Sequence, residues 1–367
     1  MKVVILTNIP NHYRIPLFND LHKLLSQNQI QLTVIFGAEG YAARKNENDL
    51  AQCKFPYHIL AAHKGRSGAI HYEGLISCLR NIDPDKIVVS GFNLGSLKSI
   101  VYAKRFRKPL ILWTGSVDIG VVQSTPLMRL YRRLLLPFFD SYLTYGTAAK
   151  DYLVKLGAQE SKVSPVGNTV DVVRLSEQIE NTKPECSNKV IRMLYVGYLS
   201  ERKNVRLLMP IVKRLSKEEK SFILDIVGDG DSKQSLEHEV SKLGLEQFVT
   251  FHGFKQREEL PQYFAQADVF LFQTDGDIWG LVLNEAMSAT LPVLASEHAA
   301  ATHDLIKEGE NGFVVNFRNI DSVCEKINWL FNHPTEAKQM GKMAKDTILE
   351  NYSISAVAKR FYQGITE

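Results

Sequence analysis

Residues 275–287 read Asp-Gly-Asp-Ile-Trp-Gly-Leu-Val-Leu-Asn-Glu-Ala-Met. The apolar run before them, Val-Phe-Leu-Phe at 269–272, reads as a buried strand, and the segment from Gly280 reads as a helix opening. A strand-to-helix junction therefore carries a carboxylate at Asp277, an aromatic at Trp279, a glycine at Gly280 and a second carboxylate at Glu285.

The same strand-then-helix unit recurs along the chain. Short apolar runs at 3–6, 32–36, 87–89, 110–113 and 142–144 alternate with helix-period stretches near 15–26, 70–81, 94–106, 126–137 and 147–156. The alternation restarts after 190, with runs at 193–196, 222–227, 249–251, 269–272 and 292–295 and helices expected over 203–216, 231–243, 257–266 and 280–289. Strands that are apolar throughout and separated by helices imply parallel sheets covered on both faces. Two such series predict an α/β protein of two Rossmann-like, doubly wound domains facing a central cleft. Polar, aperiodic sequence over 178–189 marks the boundary. The expected division is a first domain at 1–175, a linker at 176–190 and a second domain at 191–351, with a terminal helix at 352–367 completing the first.

The chain has 367 residues, 45% hydrophobic and 23% charged, with no low-complexity tract. Its four scattered cysteines argue against a disulfide framework or a zinc site and fit a reduced compartment. The first residues, MKVVILTNIP, hold too short an apolar run for a signal peptide or a membrane span. A cytoplasmic protein is the expectation. Charge is uneven: residues 1–171 carry 21 Lys and Arg against 12 Asp and Glu, and residues 172–367 carry 23 against 28. The basic half suits an anionic substrate or the inner face of the cytoplasmic membrane, and nucleic acid is not expected.

Taken as helical throughout, 277 to 285 spans about 12 Å. That exceeds the roughly 5–10 Å between carboxylates acting on one glycosidic bond. The spacing matches opposite ends of a nucleoside diphosphate sugar, with one acid on sugar hydroxyls and the other on ribose hydroxyls. The free amides of Trp279, Gly280 and Leu281 would form an anion site between them. An ordinary helix cap at Asp277 and a solvated Glu285 explain the same letters. A second junction, Leu194 to Asn204, places Arg202 and Lys203 after a strand, where cations would neutralise a leaving diphosphate without a metal.

These junctions together resemble glycosyltransferase family 4 (group 1), retaining enzymes of the GT-B fold. The E-x7-E motif of that family is similar to Asp277-x7-Glu285, with Trp279-Gly280-Leu281-Val282 and Asn284-Glu285-Ala286-Met287 inside it. Its G-R-L-x-x-x-K-G turn is similar to Gly197-Tyr198-Leu199-Ser200-Glu201-Arg202-Lys203-Asn204, its I-V-G-x-G to Ile226–Gly230, and its F-x-G to Phe251-His252-Gly253. The resemblance implies that Glu285 binds the donor ribose, that Lys203 binds the diphosphate, and that Asp277 with the following amides holds the transferred sugar. Gly197 would lie beside the diphosphate, and Gly253, Phe254 and Lys255 would edge the base pocket. The donor implied is a UDP- or GDP-sugar, with no cofactor and no metal required. Asp277 stands where the family has Glu, and Tyr198 where it has a phosphate-binding Arg, whose place Arg202 takes.

In the first domain the family's glycine-rich loop is replaced by Asn8-Ile9-Pro10-Asn11-His12-Tyr13-Arg14, so Asn8, His12 and Arg14 are candidates for acceptor or diphosphate contact. Ser116 and Asp118 stand near the position of a family histidine. The segment 128–139 mixes cations with a broad apolar face, as a membrane-surface helix or a core-packed helix does. The implied activity is retaining transfer of a sugar to a hydroxyl of a saccharide or lipid-linked glycan in polysaccharide biosynthesis. The alternatives are a non-catalytic nucleotide-sugar-binding homologue and a metal-dependent transferase using Asp275 and Asp277, or Asp229 and Asp231, as ligands. A dinucleotide oxidoreductase is disfavoured because Gly228-Asp229-Gly230-Asp231-Ser232-Lys233 lacks a third glycine.

Overall fold

The computed structural model describes residues 1–40, 50–64, 70–182, 190–218 and 221–367, and for Lys64 its backbone only. The chain forms two compact units. Unit 1 comprises 1–117, 124–171 and 354–367; unit 2 comprises 118–123 and 172–353.

Unit 1 is built on seven parallel strands: β1 (Lys2–Thr7), β2 (Gln31–Phe36), β3 (Tyr57–Ile59), β6 (Lys86–Ser90), β7 (Leu110–Thr114), β8 (Ser141–Thr144) and β9 (Val163–Pro165). Their order is β3-β2-β1-β6-β7-β8-β9. A separate antiparallel hairpin joins β4 (Ala62–Lys64) to β5 (Ile70–Tyr72). The helices are α1 (Ile15–Gln27), α2 (Leu75–Ile82), α3 (Leu94–Phe106), α4 (Pro126–Leu135) and α5 (Thr147–Leu156). The continuous apolar run of β1 has the alternation a doubly covered strand needs. Val3 and Ile5 pack with Phe18, Trp113 and Phe361, whereas Val4 and Leu6 pack with Leu79, Ile100 and Leu153.

Unit 2 opens with α6 (Val172–Thr182) and holds six parallel strands: β10 (Ile191–Val196), β11 (Phe222–Val227), β12 (Val249–Gly253), β13 (Val269–Phe272), β14 (Val293–Ser296) and β15 (Phe313–Val315). They run in the order β12-β11-β10-β13-β14-β15. Helices α7 (Leu208–Leu215), α8 (Lys233–Leu243) and α12 (Ile320–Asn332) bury Leu208, Leu236 and Ile327 in one cluster with Met193 and Tyr195 of β10. Helices α9 (Leu260–Gln266), α10 (Leu281–Ser288) and α13 (Pro334–Asn351) pack with α6 through the pairs α6–α9, α6–α10 and α10–α13. A short α11 (Thr302–Leu305) follows β14, and α14 (Ile354–Thr366) returns to unit 1 against α1.

In both sheets the order reverses beside the first strand, between β1 and β6 and between β10 and β13. Loops leaving such neighbours diverge and leave a crevice at their carboxyl ends, where ligands of open α/β sheets bind.

Four local expectations are corrected. The helix expected from 70 begins only at Leu75, because 70–72 pairs as β5. The segment expected as domain end and linker is helical to Thr182, with Val172, Ser176 and Ile179 buried on one face; 183–189 lies outside the described residues. The helix expected over 203–216 starts at Leu208, after a turn and one 3-10 turn at 205–207. Asp277 is not on a helix. It forms a bridge beside Ala299, and α10 starts at Leu281, so no axial helix distance applies between Asp277 and Glu285.

Candidate active site

At the switch point of unit 2, the loops after β10 and β11 are zipped together by backbone. Gly197 N–H donates to Val227 O at 3.0 Å, Leu199 N–H to Asp229 O at 2.9 Å and Ser232 N–H to Leu199 O at 2.9 Å. A Cβ on Gly228 (φ +148°) would overlap the carbonyl of Gly197, so two backbones touch where any side chain would separate them. The turn then tightens, with Lys203 N–H on Ser200 O at 3.0 Å, and ends at Asn204 with φ +42°. This is the position where the resembling motif has glycine. Asparagine is the side chain that best tolerates the left-handed region.

The turn delivers two cations to the loop after the neighbouring strand β13. Lys203 Nζ bonds the Asp277 carboxylate directly, and Arg202 Nη1 lies 3.7 Å from it while donating to Gly276 O at 2.5 Å. The Lys203 ammonium also lies 5.4 Å from the Phe272 ring centroid. Asp277 is held on every side. Its N–H donates to His298 O at 3.0 Å, its carbonyl accepts from Ala300 N–H at 2.9 Å, and its Oδ1 accepts from Trp279 N–H at 3.3 Å. Two cations thus meet one carboxylate, and the side chains of Lys203 and Asp277 are both largely withdrawn from water. A local excess of positive charge results, where an anion is attracted and weakly screened.

Asp275 supports this arrangement from beneath. Its buried carboxylate accepts from Arg318 Nη2 at 2.7 Å and from Asn204 Nδ2 at 2.7 Å, and its carbonyl accepts from Val121 N–H at 2.8 Å. The segment 118–123 belongs to unit 2 through such contacts. Gly276 is packed so closely on Val121 and Val122 that a Cβ would press on both backbones. The sequence reading missed Asn204 and Arg318 as parts of the site and named Asp275 only as a metal ligand of the alternative transferase. Asp275 was within reach as the first acid of Asp-Gly-Asp, whereas Arg318 carries no local signal. A groove of about 720 Å³ opens beside the turn, lined by Ser200, Arg202, Arg206, Ser232, Asp275 and Val121 among others.

Helix α10 follows. Gly280 caps it with φ +89°, against the ring of Phe272. Leu283 N–H donates to Gly280 O at 2.9 Å, while the amides before it, Leu281 among them, have no acceptor one turn earlier and point out of the helix start. The Trp279 side chain, expected among donor-binding groups, is instead buried. Its Nε1 donates to Asn284 at 2.9 Å and its ring meets Tyr352 at 6.0 Å, so it fixes the helix start from within. Glu285 lies one turn into α10, half-buried. Burial raises its carboxyl to about 7, against a small opposing pull from Arg257. At the end of β12, Gly253 (φ +69°) is open, Phe254 is exposed, and Lys255 lies 3.6 Å from Glu259.

Of the candidates outside the second domain, Asn8, His12 and Arg14 follow β1 and Ser116 follows β7. Asn8 Oδ1 accepts from Tyr72 Oη at 3.1 Å at the end of β1. His12 is exposed, its ring edge-on to Tyr13 at 5.6 Å. Ser116 Oγ shares a hydrogen bond with Thr114 Oγ1 at 2.9 Å, and Asp118 belongs to unit 2. Arg14 is corrected. At 8% exposure it turns inward, donating to Thr7 Oγ1 at 2.8 Å and to Tyr145 Oη, with its guanidinium 4.3 Å from the Trp113 ring centroid. It is a buried cation tying the loop after β1 to β7 and β8, with its Nε left without a hydrogen-bond partner.

The fold defines a class, two Rossmann-like units of the GT-B kind, with the charge cluster in the second. Comparisons with known proteins agree. Residues 177–347 match the family model described as Glycosyl transferases group 1. The chain is similar to the sulfoquinovosyl transferase SQD2 of Arabidopsis thaliana, at 32% identity over 157 residues, covering 42% of this chain and 29% of that protein. It is also similar to the amylovoran biosynthesis glycosyltransferase AmsK of Erwinia amylovora, at 27% over 168 residues, covering 44% and 40%. The match thus spans less than half of either relative. Among solved structures, Anabaena HepE in complex with UDP superposes with a TM-score of 0.76 over 100% of both chains at 17% identity, a likeness of fold. The resemblance to group 1 glycosyltransferases drawn from the motifs holds over the second unit.

Proposed function

We propose that the protein is a retaining, metal-independent glycosyltransferase. It moves a sugar from a UDP- or GDP-sugar to a hydroxyl of a saccharide or lipid-linked glycan in polysaccharide biosynthesis. The observation that carries this reading is the Lys203–Asp277–Arg202 cluster at the switch point, one loop before the start of α10 and its Glu285. A diphosphate entering the crevice takes Lys203, Arg202 and the first-turn amides of α10, which frees the Asp277 carboxylate for sugar hydroxyls. Glu285, as the carboxylate, accepts from the ribose hydroxyls. The bond from the anomeric carbon to the diphosphate oxygen breaks, and its electron pair stays on the phosphate. The acceptor oxygen bonds the anomeric carbon on the same face, and its proton passes to the departing phosphate oxygen, so no protein nucleophile takes part. Catalysis rests on positioning and on charge aimed at the leaving group.

Metal independence is supported by the state of the two acids in Asp275-Gly276-Asp277. One is bonded to Arg318 and Asn204 and the other to Lys203, so a cation would have to displace positive charge already in place. The test is calorimetric titration of UDP, GDP and their common sugar conjugates in EDTA, on wild type and Glu285→Ala. Tight binding of one diphosphate, weakened at least about tenfold by Glu285→Ala, is expected. Absence of binding by folded protein, or binding only after a divalent cation is restored, would overturn the reading.

A further inference from the structure

An ordinary surface helix turns its apolar stripe to the core. Helix α4 does the reverse. Its inward side carries Arg132, whose Nη1 donates to Ser124 Oγ at 2.7 Å and to Tyr152 Oη at 2.6 Å, with the guanidinium 5.5 Å from the Phe92 ring centroid. At about 100° per residue, Leu127, Leu130 and Leu134 fall on the opposite side. They are 76%, 54% and 63% exposed. The helix is not loosely held. Thr125 Oγ1 caps its start by accepting from Met128 N–H at 3.2 Å, and Leu135, Leu136 and Phe139 are buried at its end.

The exposed stripe continues past the helix into Phe138, and the ammonium of Lys104, in the last turn of α3, lies 6.0 Å from that ring. Arg129 and Arg133, one turn apart, run along one edge of the leucines. Charge in this stretch is one-sided: residues 86–139 hold nine Lys and Arg and a single acid, Asp118, which belongs to unit 2. Among the described residues no helix is long and apolar enough to cross a membrane.

We propose that α4, with Phe138 and the last turn of α3, docks on an anionic lipid bilayer. Leu127, Leu130 and Leu134 enter the headgroup boundary, and Arg129, Arg133, Lys104 and Arg105 meet lipid phosphates. Apolar insertion beside cations is what holds amphipathic helices in an interface, and each basic residue near an anionic leaflet strengthens binding several-fold. The inference stands apart from sugar transfer, and its test uses no nucleotide.

The experiment is co-sedimentation of the full chain with vesicles of phosphatidylethanolamine and phosphatidylglycerol, and with vesicles of phosphatidylcholine alone, at low and high salt. Two variants are compared with wild type, Leu127→Ser/Leu130→Ser/Leu134→Ser and Arg129→Glu/Arg133→Glu, each checked by circular dichroism for an unchanged fold. Wild type should bind the anionic vesicles and lose most of that affinity at high salt. Either variant should bind them at least about tenfold more weakly. Absence of binding by wild type, or unchanged binding by the folded leucine variant, overturns the proposal. So does a concentration-dependent dimer that the leucine variant abolishes while neither protein binds lipid, because the face would then belong to a second copy of the chain.

Discussion

Glu285 sets folding against binding within one side chain. Its carboxyl is raised from 4.5 to about 7 because burial disfavours the charge. Between those two values the folded chain holds a proton that the unfolded chain has released, so stability falls as pH rises from 4.5 to 7 and stays reduced above it. The full cost of the ionised form is on the order of 3 kcal/mol. Glu285→Gln should therefore melt at a higher temperature than wild type at pH 8 and at nearly the same temperature at pH 4.5. Equal melting temperatures at both values would show that the carboxyl is not held in a desolvated place. Such a cost is retained where a ligand uses the charge, which is the physical ground for reading Glu285 as a binding residue. Its burial was not legible in the sequence, because burial is set by what α10 packs against. Arg14 shows the converse. A loop arginine among polar neighbours reads as exposed, and only the fold reveals Trp113 and Tyr145 around it.

At the scale of elements, the long apolar runs gave themselves away because strands buried on both faces need no alternation with polar residues. Short pieces did not. The strand at 57–59 and the hairpin strand at 70–72 are three residues each, too few for any period to register. Helix α6 straddles the expected boundary between the first domain at 1–175 and the linker at 176–190, because of its buried positions Val172, Ser176 and Ile179 only Ile179 lies within the polar stretch 178–189. The junction at 275–287 was legible in its parts, with a helix expected over 280–289 and found over Leu281–Ser288, and only the helical distance drawn from Asp277 fails. Gly280 explains why: it caps α10 at φ +89° with its Cα against the Phe272 ring, a backbone that a helix starting at Asp277 would not have. Gly280→Ala should destabilise unit 2 by about 2–3 kcal/mol, through strain at positive φ and overlap with Phe272. A denaturant midpoint within error of wild type would show that the ring moves aside without cost.

At the scale of the whole molecule, sequence order and structural membership diverge in two places. Six residues after β7 belong to unit 2, and the last helix belongs to unit 1. Helix α14 is an integral part of unit 1 rather than a cover on it: Val357, Ala358, Phe361 and Ile365 are fully buried, and Phe361 meets Trp113 edge-on at 5.0 Å. The residues of the charge cluster named above all belong to unit 2, so damage to α14 should leave it intact. Phe361→Ala removes a ring from a closed cluster and should cost about 3–5 kcal/mol, all of it from unit 1. Hydrogen exchange resolved by peptide tests this directly. Protection should fall in β1, β7 and α1, which share the cluster with Phe361, while β10, β11 and β13 exchange as in wild type and the heat of nucleotide binding is unchanged. Equal loss of protection in both sheets would mean that the two units unfold as one cooperative body.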